Sequence, residues 1–373
     1  MSDTVWAWLQ IGGGLVVLVV GGEFLVRGAS QLAAAMRISS VVIGLTVVAF
    51  GTSAPEMAVS LQSSLNGDSD LAIGNVVGSN IFNVLFILGL SAMITPLSVA
   101  SEFIRRDVPI MIGVSVLLLL LGLDGNLGRV DGLVLSAGIL TYTGWCIQAS
   151  RRENQANPTE LPENIPTATA AATKKSGALG LNCVWILIGI VLLIVGAGWL
   201  QVGAVAIAQG FGVSELVIGL TIVAAGTSLP EVATSVVAAI KGEREIAVGN
   251  VVGSNIFNIL SVLGFSAVVA PQGVEVNQEA VQFDIPVMIA VAVACWPIFA
   301  TGNTISRWEG GVFFMYYLAY TSHLVLEASG HELQHTLSSM MLLFVMPLTV
   351  LTLAISWWRS RQSMLDSRQL SSK

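Results

Sequence analysis

The sequence predicts an all-α integral membrane protein: two inverted five-helix repeats plus one extra C-terminal helix, about 11 transmembrane helices in all. Three observations predict it. Hydrophobic residues make up 54% of the chain and charged residues only 10%, with a mean hydropathy of +0.81, which is outside the soluble range. Residues 44–96 recur at 219–271 at a constant offset of 175, with 30 identities in 53 positions. Apolar segments number five before a polar linker and five plus one after it.

A bilayer core takes roughly 20 apolar residues per helix. The chain supplies such segments near 6–34, 41–65, 71–95, 108–123 and 130–149. They resume near 182–209, 216–240, 246–270, 285–301, 308–326 and 336–358. The first has no basic region before it and outruns a signal-peptide core, so it reads as a retained helix. Residues 1–150 form the first repeat, 151–180 a cytoplasmic linker, 181–327 the second repeat, and 328–373 the extra helix and a cytoplasmic tail. An odd number of crossings per copy makes the second enter the membrane from the opposite side, the arrangement of a transporter with an in-plane pseudo-two-fold axis.

The basic residues test this topology. With the N-terminus outside and the C-terminus cytoplasmic, 14 of the 16 Lys and Arg fall inside. Arg129 falls outside, and Arg27 lies in the inner half of the first helix, where it can snorkel. The eleventh helix is needed for this agreement. The linker, rich in Ala, Thr, Pro and Asn, reads as a tether too short for a regulatory domain.

Composition also excludes partners and chemistries. The net charge of −7 comes mainly from loop acids and two intrahelical ones, and nothing in the chain fits a nucleic-acid partner. Cys146, Cys183 and Cys295 lie in apolar segments without CxxC spacing and are expected as free buried thiols. No cofactor and no obligate protein partner is expected, only the lipid bilayer and transported ions.

The identities gather in two polar blocks inside apolar spans. Gly51-Thr52-Ser53 with Pro55-Glu56, and Gly74 to Asn83, return as Gly226-Thr227-Ser228 with Pro230-Glu231, and Gly249 to Asn258. An ionised carboxylate at the depth of Glu56 or Glu231 costs about 2.5–3.5 kcal/mol on insertion scales, so it calls for a cation. The alternative is a protonated or paired carboxylate that fastens helices. Pro55 and Pro230 each remove a backbone donor and leave the carbonyls of Gly51 and Gly226 without their partners, so each helix is expected to break, or simply to kink, at mid-depth. Thr52 and Ser53 stand at i−4 and i−3 to Glu56, and Ser79 at i−4 to Asn83; Thr227, Ser228, Glu231, Ser254 and Asn258 repeat this. Two carboxylates, six hydroxyls and amide oxygens form an all-oxygen set for a hard cation such as Ca²⁺, or for several monovalent ions sharing the same charge. Gly74, Gly78, Gly249 and Gly253 read as helix-packing glycines, and Asn80 and Asn255 as ligands or as supports for them.

GTSAPE with GNVVGSNIFN, and GTSLPE with GNVVGSNIFN, resemble the two alpha repeats of the calcium/cation antiporter superfamily, especially prokaryotic sodium/calcium exchangers. The resemblance implies ten helices in two inverted halves, with the long, glycine-rich first and sixth helices sliding as a gate. It implies electrogenic exchange of Na⁺ for Ca²⁺; short loops without appended domains point to a prokaryotic inner membrane. It also implies cation ligation by Thr52, Ser53, Glu56, Ser79 and Asn83, by Thr227, Ser228, Glu231, Ser254 and Asn258, and by the carbonyls of Ala49 and Ala224. Several relatives carry Asp at the position of Asn258; the symmetric pair Asn83 and Asn258 favours a potassium-independent exchanger. The eleventh helix is a second departure from the family pattern.

Two rival readings stand beside this one. A proton/calcium exchanger would use Glu56 and Glu231 as proton carriers on the same fold. His331-Glu332-Leu333-Gln334-His335 matches the HExxH zinc-protease pattern, in an expected outer loop and with only His323 or Glu327 to offer as a third ligand.

Overall fold

The computed structural model describes residues 2–36, 38–156, 177–212, 222, 224–328, 350 and 354. Most of the tether, the start of the span expected at 216–240, the HExxH segment and nearly all of the eleventh helix lie outside the described residues. In chain order the elements are α1 (Ser2–Met36), α2 (Ser40–Thr52), α3 (Ala54–Asn66), α4 (Ser69–Ile94), β1 (Leu97–Ser98), α5 (Ser101–Gly122), β2 (Asn126–Leu127) and α6 (Arg129–Ala156). They continue with α7 (Gly177–Gly210), the single turn α8 (Ala224–Gly226), α9 (Leu229–Ile240), α10 (Arg244–Val269), β3 (Val274–Glu275), α11 (Ala280–Ala300), β4 (Thr304–Ile305) and α12 (Arg307–Ala328). Six of these helices are long and apolar enough to cross a membrane, or seven when the bent pair α2 and α3 is taken as one span.

Helix α4 has 72% of its apolar stretch buried and α10 has 89%, against 28–33% for the other four, so these two form the centre and the rest present one side to lipid. Where α3 and α9 end, Gly67 (φ 83°) and Gly242 (φ 82°) take the left-handed conformation that glycine adopts without strain. Helix α5 begins at Ser101, seven residues before the apolar run at 108. Its polar first turns are helical because Phe103, Ile104 and Asp107 are all buried there. Of the cysteines, Cys146 and Cys295 are buried but Cys183 is exposed, because an apolar membrane helix has a lipid side as well as a packed one.

Helices α1 and α7 form the closest pair. A Cβ on Gly14 would lie 2.7 Å from the Gly196 carbonyl, one on Gly21 3.0 Å from that of Gly189, and one on Gly28 3.0 Å from that of Asn182. Gly203 similarly meets the Ala7 carbonyl at 2.6 Å. The contacts climb by sevens along α1 while descending by sevens along α7, which makes the pair antiparallel with small residues at every second turn.

The two copies are stitched at both ends of the bundle. Strand β1 pairs antiparallel with β4, and β2 with β3, each joining a loop of one copy to a loop of the other. Leu97, Leu127, Val274 and Ile305, one from each strand, are fully buried. Gly132 of α6 packs against α10 near Gly264, and Gly310 of α12 against α4 near Gly89, so the copies also exchange helix contacts.

Candidate cation-binding site

The break expected at Pro55 is present. Helix α2 ends at Ser53 (φ −79°, ψ 11°), and α3 leaves at 49° to it with Pro55 in its first turn. Ser228 (φ −88°, ψ 7°) marks the same point before α9, with Pro230 in the first turn. Each break sets a glutamate in a first helical turn, Glu56 and Glu231, where unpaired amides favour negative charge; both are fully buried. Gly51 and Gly226 do more than loosen the turn. A Cβ on Gly51 would lie 2.5 Å from the Ile190 side chain, and one on Gly226 2.7 Å from Gln201, so α7 packs directly against both breaks.

The serines do not serve the glutamate of their own helix, as i, i+3 spacing on an unbroken helix predicts. Ser228 Oγ donates to Glu56 Oε1 at 2.7 Å and lies 3.1 Å from Ser79 Oγ. Ser53 Oγ donates to Glu231 Oε1 at 3.0 Å, and Ser254 Oγ lies 3.5 Å from the same oxygen. The break turns each serine away from its own helix face and toward the other copy, at Ser53 by a bend of 49° between α2 and α3. Ser228→Ala and Ser53→Ala are therefore expected to act on opposite glutamates, each weakening Ca²⁺ binding about ten- to a hundredfold, the scale of one hydrogen bond to a charged group. A double-mutant cycle of Ser228→Ala with Glu56→Ala, which leaves no acceptor at position 56, read by titration calorimetry checks this: full additivity refutes the crossed pairing.

The threonines cross as well. Thr52 Oγ1 lies 3.1 Å from Asn250 Oδ1, and Thr227 Oγ1 lies 3.3 Å from Asn75 Oδ1. Asn75 in turn donates to Ser60 Oγ at 2.9 Å and to the Glu56 carbonyl at 3.2 Å, while Asn250 donates to Ser235 Oγ at 3.0 Å. Sequence reasoning passed over Asn75, Asn250, Ser60 and Ser235, although all four are identities of the repeat and the asparagines sit one turn before Ser79 and Ser254. The Ala49 carbonyl accepts the Ser53 N–H at 3.0 Å, and Ala224 opens the single turn before the second break.

Asn83 and Asn258 each begin a π-helical stretch, Asn83–Leu88 and Asn258–Leu263, the kind of insertion that recurs at functional positions. Both are fully buried, and each spends its amide N–H on the other copy: Asn83 Nδ2 on Asn255 Oδ1 at 3.0 Å, Asn258 Nδ2 on Asn80 Oδ1 at 3.1 Å. Four strong acceptors are left over. Glu56 Oε2, Glu231 Oε2, Asn83 Oδ1 and Asn258 Oδ1 are buried without a hydrogen-bond partner. The other such atoms among the described residues are hydroxyl oxygens. A buried acceptor left unpaired costs about 1–3 kcal/mol, more when charged, and a hard cation is the ligand that satisfies oxygen acceptors without needing a donor.

Of the packing glycines, Gly249 and Gly253 meet α2 closely: Cβ atoms there would lie 3.0 Å from the Val41 carbonyl and 2.7 Å from Leu45 Cα. The corresponding partners of Gly74 and Gly78 lie largely outside the described residues. Asp107 is a third intrahelical acid that composition alone placed among the loop acids. It is fully buried, accepts from Tyr142 Oη at 3.0 Å and pairs with Arg106 at 3.3 Å. Asp284 faces Tyr320 Oη at 3.3 Å in the same way. The signal was present: Asp107-Val-Pro-Ile-Met111 recurs as Asp284-Ile-Pro-Val-Met288, but at an offset of 177. Two extra loop residues hide it from a comparison at 175.

Apolar spans around a buried, duplicated oxygen cluster define an integral membrane transporter of cations. The chain belongs to the sodium/calcium exchanger protein family, which matches residues 6–147 and 181–326. It is 39% identical over 316 residues to the putative antiporter CaxA of Alkalimonas amylolytica, covering 82% of this chain and 95% of that protein. It is 39% identical over 288 residues to the inner membrane protein YrbG of Escherichia coli K12 (76% and 86% covered) and 32% identical over 334 residues to the sodium/calcium exchanger MaX1 of Methanosarcina acetivorans (82% and 95%). A solved structure of the sodium-calcium exchanger NCX_Mj superposes with a TM-score of 0.72 at 29% identity, covering 86% of this chain and 99% of that one. The protein is thus an ion antiporter of this family and not an enzyme.

Proposed function

We propose that the protein exchanges Na⁺ for Ca²⁺ by alternating access at the duplicated midplane site. The carrying observation is the set of four buried oxygens without hydrogen-bond partners, two of them on carboxylates whose charges together match one Ca²⁺. The ligands are Glu56 and Glu231, Asn83 and Asn258, the hydroxyls of Thr52, Ser53, Ser79, Thr227, Ser228 and Ser254, and the carbonyls of Ala49 and Ala224. Na⁺ competes for the same oxygens, and that competition couples the two fluxes.

The architecture we propose is two inverted five-helix halves, residues 1–150 and 181–327, joined by the tether 151–180 and followed by an eleventh helix within 328–373. The two family matches, one on each side of the tether, support that division. The N-terminus lies outside and the C-terminus in the cytoplasm of a prokaryotic inner membrane, on the distribution of Lys and Arg. Helices α1 and α7 slide as one gate past the breaks at Ser53 and Ser228, supported by the close approach of Ile190 and Gln201 to Gly51 and Gly226.

The test is radioactive calcium uptake into proteoliposomes loaded with Na⁺, with K⁺ or with acidic buffer. Uptake driven by internal Na⁺ alone is expected. Uptake driven by the proton gradient would move the protein to proton-coupled exchange, and none under any gradient would refute the calcium assignment.

A further inference from the structure

We propose that Asn80 and Asn255 are positioning residues that fix the amide orientation of Asn258 and Asn83 across the two copies, so that only amide oxygen faces the transported cation. The inference rests on the exchange reading above.

An asparagine amide is close to symmetric in shape, and which end faces a ligand is decided by its other partners. Here the decision starts from a group with no choice. Asn80 Nδ2 lies 3.2 Å from the main-chain carbonyl of Asn255, and Asn255 Nδ2 lies 3.2 Å from that of Asn80. A carbonyl only accepts, so the nitrogen end of each amide must face it. The second N–H of each amide is taken by a thioether, Met288 Sδ at 3.5 Å from Asn80 Nδ2 and Met111 Sδ at 3.7 Å from Asn255 Nδ2. The Oδ1 of Asn80 and of Asn255 is then forced to the opposite side, where it can only accept.

That acceptor dictates the next amide in line. Asn258 must present Nδ2 to Asn80 Oδ1, at 3.1 Å, and Asn83 must present Nδ2 to Asn255 Oδ1, at 3.0 Å. The oxygens of Asn83 and Asn258 are consequently turned away from every protein donor, which is how they come to be buried without partners. Turning either amide over would set oxygen against oxygen and put an N–H donor toward the cation. All four asparagines are at most 3% exposed, so water does not relieve the constraint. Met111 and Met288 sit one turn after Asp107 and Asp284, which makes the repeated Asp-x-Pro-x-Met segment the outer support of the clamp.

The test is a pair of double-mutant cycles on the full-length protein in proteoliposomes. Asn80→Ala is expected to raise the KM for Ca²⁺ about tenfold while kcat changes by less than about twofold, because orientation of a ligand is lost rather than the ligand itself. Combined with Asn258→Ala it should add almost nothing, whereas combined with Asn83→Ala, three residues away on the same helix, the losses should multiply. A role in helix packing alone would multiply in both pairs and would overturn the proposal. Met288→Leu, which keeps volume and removes the sulfur acceptor, covers the case in which Asn80→Ala does not fold; about a threefold rise in KM is expected, and an unchanged KM counts against the clamp. The same cycles are read without transport, as the rise in melting temperature on adding Na⁺ or Ca²⁺. If the wild type takes up no Ca²⁺, the exchange reading fails, while the clamp stands on non-additivity of the cation-induced shift in the Asn80 and Asn258 pair and falls if that shift is additive.

Discussion

Replacing Glu56 or Glu231 by Gln is expected to abolish calcium uptake while leaving the protein folded and, without ions, no less stable. A unit ligand charge against a divalent ion at about 2.4 Å is worth on the order of 10 kcal/mol at an effective dielectric near 20, before desolvation is repaid. Loss of about a quarter of that lowers affinity about a hundredfold. The amide is isosteric, and its oxygen still accepts the crossed hydroxyl, from Ser228 at position 56 and from Ser53 at position 231. Removing one of two buried like charges relieves a repulsion that only a bound cation otherwise offsets, so the ion-free melting temperature should stay level or rise. The stabilisation that Ca²⁺ confers on the wild type, which grows with the logarithm of its concentration, should vanish. Melting with and without Ca²⁺, run beside the uptake assay, checks both halves. Retained uptake, or collapse of the ion-free protein, would mean that the carboxylates fasten helices instead.

Gly189→Leu is expected to cost about 1–3 kcal/mol and to reduce exchange below about a tenth, as overpacking of a close interface does. The new Cβ would lie 2.6 Å from Leu25 N and 2.9 Å from the Gly21 carbonyl, both backbone atoms that cannot step aside. Helix α7 would have to retreat from α1, taking Ile190 with it from Gly51. Gly198→Leu, on the open side of the same helix where nothing stands within 4 Å, should leave both stability and exchange unchanged. Similar losses in the two variants would show that any bulk on α7 is harmful and that the seven-residue register is unimportant.

The candidate site was legible to different depths. Glu56 and Glu231 stood out because a carboxylate in an apolar span needs a partner, and the proline one residue before each announced a broken helix. Pairing within the site was not legible. Reading Ser53 with Glu56 assumes an unbroken helix face, and the break that makes the site also turns that face. Asn75 and Asn250 were passed over because helix spacing puts them in line with the ligands but cannot say that each reaches a threonine of the other copy. Asp107 was missed because an insertion of two residues shifts the offset, and because a charged turn at the mouth of a span looks like loop.

The sequence by itself determined the membrane class, the duplication, the oxygen chemistry of the polar blocks and the positions of the breaks. The duplication is plain from identity at a fixed offset, and each of the others follows from a local cost, a polar group in lipid or a missing backbone donor, that holds whatever the chain packs against. Only the tertiary structure decided which polar partnerships at the centre run between the copies: serine to the opposite glutamate, threonine to the opposite asparagine, amide to the opposite amide. Partners some 150–200 residues apart leave no periodicity in a chain, and the direction of an amide is set by the nearest carbonyl in space, not by its neighbours in sequence.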